Sequence, residues 1–120
     1  MYESASSAAL SYASSAEWSE VCPVSAVPPY GGVCALIHGE QIAIFRVDDA
    51  VYALGARDPF SGAAVLARGL VGDRAGVLKV ASPIFKQSFA LETGVCLDDP
   101  SVSVPVYPCR VRDGVVEVVV

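Results

Sequence analysis

The chain holds few side chains able to act on a substrate or bind a metal: one histidine, His38, and four cysteines, Cys22, Cys34, Cys96 and Cys109. A single imidazole excludes, by count alone, any iron or zinc centre built on two histidines. The cysteines form no C-x-x-C pair, which fits reduced structural thiols better than a zinc site, while two disulfides remain the alternative that an even count allows. A nucleophile needs a base beside it, and His38, followed by Gly39 between two β-rich runs, reads as a solvated turn residue. Asp98-Asp99-Pro100 supplies paired carboxylates, but adjacent aspartates before proline are ordinary turn chemistry. No G-x-G-x-x-G opens a helix and no glycine-rich loop carries Lys with Ser or Thr, so neither a dinucleotide nor a nucleotide site is expected. This inventory leaves no catalytic, cofactor-binding or metal-binding group expected in the chain itself.

The elements that would have to position such groups follow from composition. At 120 residues, 53% apolar and 18% charged, the chain suffices for one cored domain and little more. A net charge of −5 with eight Lys and Arg and no basic run argues against nucleic acid, which requires clustered cations to displace phosphate counterions. No apolar stretch approaches the ~20 residues of a membrane-spanning helix, and the first twenty residues lack a basic n-region and an apolar h-region. A soluble, cytoplasmic protein without a membrane partner is expected. Residues 1–16, rich in Ser and Ala, read as a low-complexity disordered tail, with a nascent helix as the alternative; residues 17–120 read as the domain.

Within it, β-branched and aromatic runs alternate with turn signals, predicting strands over Trp18–Val21, Val33–Ile37, Gln41–Val47, Val51–Leu54, Val77–Val80, Phe89–Leu91, Val106–Arg112 and Val115–Val119. His38-Gly39, Asp48-Asp49 and Asp113-Gly114 read as hairpin turns, the last strongly, because a type I′ turn demands positive φ. Alternation in the final hairpin puts Cys109 in the core and Arg110, Arg112 and Glu117 on a wet face, and the same packing role is expected of Cys34. The fold class is all-β, an antiparallel sandwich or barrel with a smaller loop-rich part. Two segments, Gly55–Gly76 and Ala81–Ser88, are too long for hairpin turns and are the expected seat of function.

Those segments carry a resemblance. Val51-Tyr52-Ala53-Leu54 leading through Asp58-Pro59-Phe60-Ser61-Gly62-Ala63, then Ala81-Ser82-Pro83-Ile84-Phe85 with Phe89, Leu91, Thr93 and Gly94, resembles a Rieske iron-sulfur domain. The similarity continues through Leu97-Asp98-Asp99-Pro100, Tyr107-Pro108, Val111 and Asp113-Gly114. That family holds its centre with a C-x-H pair and a C-P-x-H pair. Here Asp58 and Phe60 replace the first pair and Ser82 and Phe85 the second, with Pro83 retained. Phenylalanine has no lone pair to donate and a serine hydroxyl is a poor iron ligand beside a thiolate, so the resemblance implies the scaffold without its cluster.

The cluster-free pattern, with DPFSGAAVLARGLVGD and SPIFKQSFALETGVCLDDPSVSVPVY, is similar to the small subunits of assimilatory NAD(P)H-dependent nitrite reductases. This resemblance implies a non-catalytic subunit of an oxidoreductase that reduces nitrite to ammonium, associated with a large subunit carrying FAD, an iron-sulfur cluster and siroheme. The expected docking residues are Arg57, Phe60, Ser61, Arg68, Phe85, Lys86 and Gln87, because aromatics with Arg nearby are common at interface hot spots. Phe60 and Phe85 have two readings: a plug in the space of the cluster, or an exposed patch. The alternatives in function are a free-standing binding or regulatory module on the same scaffold, and a true electron carrier.

Overall fold

In β4 (Glu40–Val47), Ile42 and Ile44 face one way and Ala43, Phe45 and Val47 the other, yet all five are buried. In β5 (Ala50–Gly55), Val51 and Ala53 likewise oppose Tyr52 and Leu54. Strands buried on both faces need a covering layer on each side. The computed structural model, which describes residues 3–4 and 17–120, has that layering. The central sheet runs β3 (Gly31–Ile37), β4, β5, and the far edge of β5 takes β9 (Val106–Tyr107) antiparallel and the two-residue β1 (Glu3–Ser4) parallel. Apart from residues 3–4, the segment expected to be a tail lies outside the described residues.

One face of this sheet packs on β10 (Cys109–Arg112), β11 (Val115–Val118) and β2 (Ser19–Pro23), where Ile42, Ile44, Val51 and Ala53 meet Cys109, Val116 and Val118. The other packs on β6 (Leu70–Arg74), β7 (Val77–Ala81) and β8 (Ser88–Ala90), where Phe45, Tyr52 and Leu54 meet Val80, Phe89, Leu91 and Leu66. Each large side chain fully buried there contributes about 1.5–3 kcal/mol of apolar transfer free energy. The all-β antiparallel architecture matches the expected class. Among the described residues, no helix is long and apolar enough to cross a membrane.

Four local expectations change. The segment 55–76 is not a continuous loop: Leu70–Arg74 forms β6, paired with β7 through Ala75 and Gly76, both at positive φ (52° and 85°). The run 106–112 divides at Pro108, whose ring nitrogen cannot donate to a ladder, so that β9 pairs with β5 and β10 with β11. Cys34 is exposed because β3 ends the central sheet on that side. Glu117 is buried because Arg110 donates to it at 2.8 Å while stacking on Trp18, 3.9 Å from the ring centroid. The expected hairpin geometry holds at His38 and Gly39 (φ 51° and 80°) and at Asp113 and Gly114 (φ 53° and 77°).

Candidate functional site

The two segments that carry the resemblance are residues 56–69, between β5 and β6, and residues 82–87, between β7 and β8. Tight packing holds the first in place. A Cβ on Gly32 would lie 2.8 Å from the Ala67 carbonyl oxygen, and one on Gly69 would lie 2.4 Å from that of Ala81. Only a residue without a side chain lets the short turn at Leu66–Arg68 seat on β3 and then pass β7.

Both segments fold as the same hairpin. Asp58 N donates to the Ala63 carbonyl at 2.8 Å and the Asp58 carbonyl accepts from Gly62 N at 2.7 Å. Ser82 N donates to the Gln87 carbonyl at 2.8 Å and the Ser82 carbonyl accepts from Lys86 N at 3.1 Å. The fifth residue of each has positive φ, 75° at Gly62 and 68° at Lys86. A third copy without polar side chains at its core spans Ala90–Val95, with Gly94 at 76°. The loop form is therefore general to this molecule, and what distinguishes the first two is their side chains.

Asp58 and Ser82, expected from the resemblance to replace the two cysteines, are both fully buried and touch each other. Ser82 Oγ donates to Asp58 Oδ2 at 2.5 Å, Asp58 Oδ1 accepts from Phe60 N at 2.8 Å, and Ser82 Oγ accepts from Ile84 N at 3.4 Å. The residues in place of the two histidines point elsewhere. Phe85 is 58% exposed; Phe60 is 36% exposed, its ring 6.2 Å from the core ring of Phe89. Phe60 thus leans on the core, while Phe85 stands in solvent.

These four residues do not fit a [2Fe-2S] centre. Two offer no lone pair, and both carboxylate oxygens of Asp58 are taken by hydrogen bonds within the loops. Among the described residues, no group of three or more His, Cys, Asp and Glu side chains is placed to hold a metal ion. His38 lies exposed in its turn, and Asp98 serves the fold: Ser88 N and the Arg74 guanidinium donate to it.

The remaining expected site residues gather on the same two loops. Arg57 is exposed and donates to the Gly62 carbonyl, Ser61 Oγ accepts from Ala63 N at 3.2 Å, Arg68 and Lys86 are exposed, and Gln87 is half-buried with Oε1 lacking a partner. The sequence reading missed Pro59, Pro83, Ile84 and Leu70, which are exposed beside them, Leu70 at 74%. Leu70 pairs with Ala81, one residue before Ser82, and could not be placed without β6. The one hydroxyl–carboxylate pair here, Ser82 with Asp58, is closed to solvent; what the two loops expose is Pro59, Phe60, Pro83, Ile84 and Phe85 together with Arg57, Arg68 and Lys86.

Comparison with known proteins agrees with this geometry. Residues 17–119 match the model of the Rieske-like [2Fe-2S] domain. A nitrite reductase (NADH) small subunit from Salmonella typhimurium is 48% identical over 103 residues, 84% of this chain and 95% of that protein. The crystal structure of an NADH-dependent nitrite reductase small subunit from Mycobacterium tuberculosis superposes with a TM-score of 0.82 at 54% identity, covering 85% of this chain and 93% of that one. A stretch of 97 residues, 81% of this chain, is 40% identical to 10% of a Klebsiella oxytoca protein named nitrite reductase [NAD(P)H] large subunit. The chain belongs to the Rieske-like domain family and, within it, to the nitrite reductase small subunits.

Proposed function

We propose that this chain is the non-catalytic small subunit of an NAD(P)H-dependent nitrite reductase, and that it works by docking its loop end on the large subunit. The reaction, nitrite to ammonium, takes place on the partner, which holds FAD, an iron-sulfur cluster and siroheme. The observation that carries the reading is the pairing of 48% identity along nearly the whole of a nitrite reductase small subunit with a loop end whose donor set does not fit a cluster. The Klebsiella match supports the partnership, since there a domain of this kind is part of a chain named as the large subunit. Four free cysteines suit a cytoplasmic setting.

Docking uses Phe60 and Phe85, with Ile84 and Leu70 extending the apolar apex and Arg57, Ser61, Arg68, Lys86 and Gln87 around it. The Ser82–Asp58 hydrogen bond between the loops and the hydrogen bonds within each of them keep this surface ordered before contact, which lowers the cost of association. The test is titration of the purified large subunit with Phe60→Ser and Phe85→Ser variants whose folding is verified by circular dichroism. At a hot spot each should weaken binding by roughly 10- to 100-fold and reduce nitrite-dependent NAD(P)H oxidation at limiting small subunit. Unchanged affinity and full activity for both variants would contradict the reading.

A further inference from the structure

Residues 56–69 and 82–87 hold three of the chain's eight Lys and Arg residues, Arg57, Arg68 and Lys86, and one of its thirteen Asp and Glu residues, the buried Asp58. The loop end is therefore cationic on a protein whose net charge is −5. All three cations are exposed, and Arg57 is fixed by its hydrogen bond to the Gly62 carbonyl. No carboxylate within either loop is exposed, and the exposed Glu40 at the start of β4, which shares a groove with Arg57, leaves Arg68 and Lys86 as the main source of positive charge.

Lys86 carries a second signal. Of the three hairpins with the same hydrogen-bond pattern, two place glycine at the left-handed fifth position, Gly62 and Gly94, and the third places a lysine at φ 68°. A side chain with a Cβ is strained in that region, where glycine is not. This hairpin therefore presents an exposed, charged side chain at the position where its two counterparts present none.

We infer that the large-subunit surface receiving this loop end is apolar at its centre and rimmed by carboxylates, and that Arg57, Arg68 and Lys86 steer the two subunits into register. This inference rests on the docking reading above and adds the chemistry of the partner surface. Charge complementarity selects that occupant: an acidic rim attracts this end of the molecule and repels the rest of it, so the encounter is oriented before the aromatic side chains make contact.

The experiment is stopped-flow association with the purified large subunit as a function of salt. Between 50 and 500 mM NaCl the association rate constant should fall by about tenfold or more, as for steered protein pairs. Arg68→Glu and Lys86→Glu should each slow association by about 3- to 10-fold at low salt, whereas Asp48→Lys, in the β4–β5 turn at the other end of β5, should not slow it. Lys86→Gly should raise the thermal midpoint while slowing association, which separates the charge from any folding defect. Salt-independent association with unaffected charge variants would overturn the inference, and if Phe85→Ser still weakened the complex, docking by the loop end would stand without it. Unaltered binding of Phe85→Ser as well would remove both. Salt-sensitive self-association of this chain in place of large-subunit binding would assign the surface to a second copy and overturn the inference.

Discussion

Ser82 Oγ donates a hydrogen bond to Asp58 Oδ2 across 2.5 Å, in a position closed to solvent on both sides. The resemblance to Rieske domains aligns these two residues with that family's pair of thiolates, and in this chain a hydrogen bond joins the two loops there. Bonds to a carboxylate are shorter and stronger than neutral ones, and here no water competes for either partner. The hairpins at Asp58–Ala63 and Ser82–Gln87 thus stay together without a metal, and the side chains they carry outward stay in place.

This linkage is measurable as coupling. Ser82→Ala strands Asp58 Oδ2 in the interior and should destabilise the fold by about 1–3 kcal/mol. Asp58→Ala should cost at least as much, since Phe60 N then loses its acceptor. The double variant should fall short of the sum by about 0.5–3 kcal/mol, the range for contacting residues. Urea denaturation of the four proteins checks this; strict additivity would show that the two residues act independently.

If only side chains distinguish these loops from cluster-bearing ones, restoring the side chains should restore the centre. The combined substitution Asp58→Cys, Phe60→His, Ser82→Cys and Phe85→His should take up roughly two iron and two sulfide per chain on anaerobic reconstitution, with an EPR signal after reduction. A folded quadruple variant that binds no iron would locate the difference in the loop backbone instead.

The four cysteines should separate by reactivity. Cys34 is exposed, whereas Cys109 and Cys96 are buried and burial pushes the Cys109 thiol far above its usual range; burial also raises Cys22. With a thiol reagent at pH 8, the native protein should show one fast group, abolished by Cys34→Ser, and Cys96 and Cys109 should react only on unfolding. Rapid labelling of Cys109 in the native state would contradict its place between the sheets.

Acid should weaken the fold partly through Asp98. The backbone N–H of Ser88, and after it Arg74, hold its carboxyl below the ordinary value of 3.8. A depressed folded value means the unfolded chain takes up the proton first as pH falls. The contribution is therefore complete above about pH 4–5 and fades as pH drops through the folded value. Asp98→Asn should lower stability near neutrality by up to about 1 kcal/mol, given the exposure of the pair, with the difference from the parent chain vanishing once the pH falls below the lowered folded value. A difference independent of pH would assign the loss to packing.

Much of this was legible before any coordinates. The β-branched and aromatic run Gln41–Val47 and the Asp113-Gly114 signal translate directly into a strand and a turn, because residue preference and positive φ are local properties. The four replaced ligand positions come from the resemblance to Rieske domains, which aligns Asp58, Phe60, Ser82 and Phe85 with that family's two ligand pairs. What escaped was non-local. The β6 strand carries Gly72, Asp73 and Arg74 beside only two apolar residues and turns at Ala75-Gly76, a weak turn signal, so only its pairing with β7, from Arg74–Val77 out to Leu70–Ala81, declares it. The exposure of Cys34 depends on which strand ends the sheet, and the burial of Glu117 on where Trp18 and Arg110 lie. The contact between Asp58 and Ser82, 24 residues apart, joins two loops that no local rule brings together.

The central claim is that this Rieske-type scaffold serves its complex by contact and not by electron transfer. Iron and acid-labile sulfide determination on the isolated chain, purified anaerobically, with EPR after dithionite reduction, tests it most directly. The expected result is a colourless protein with neither element and no signal; two iron and two sulfide per chain with a reduced-cluster spectrum would contradict it.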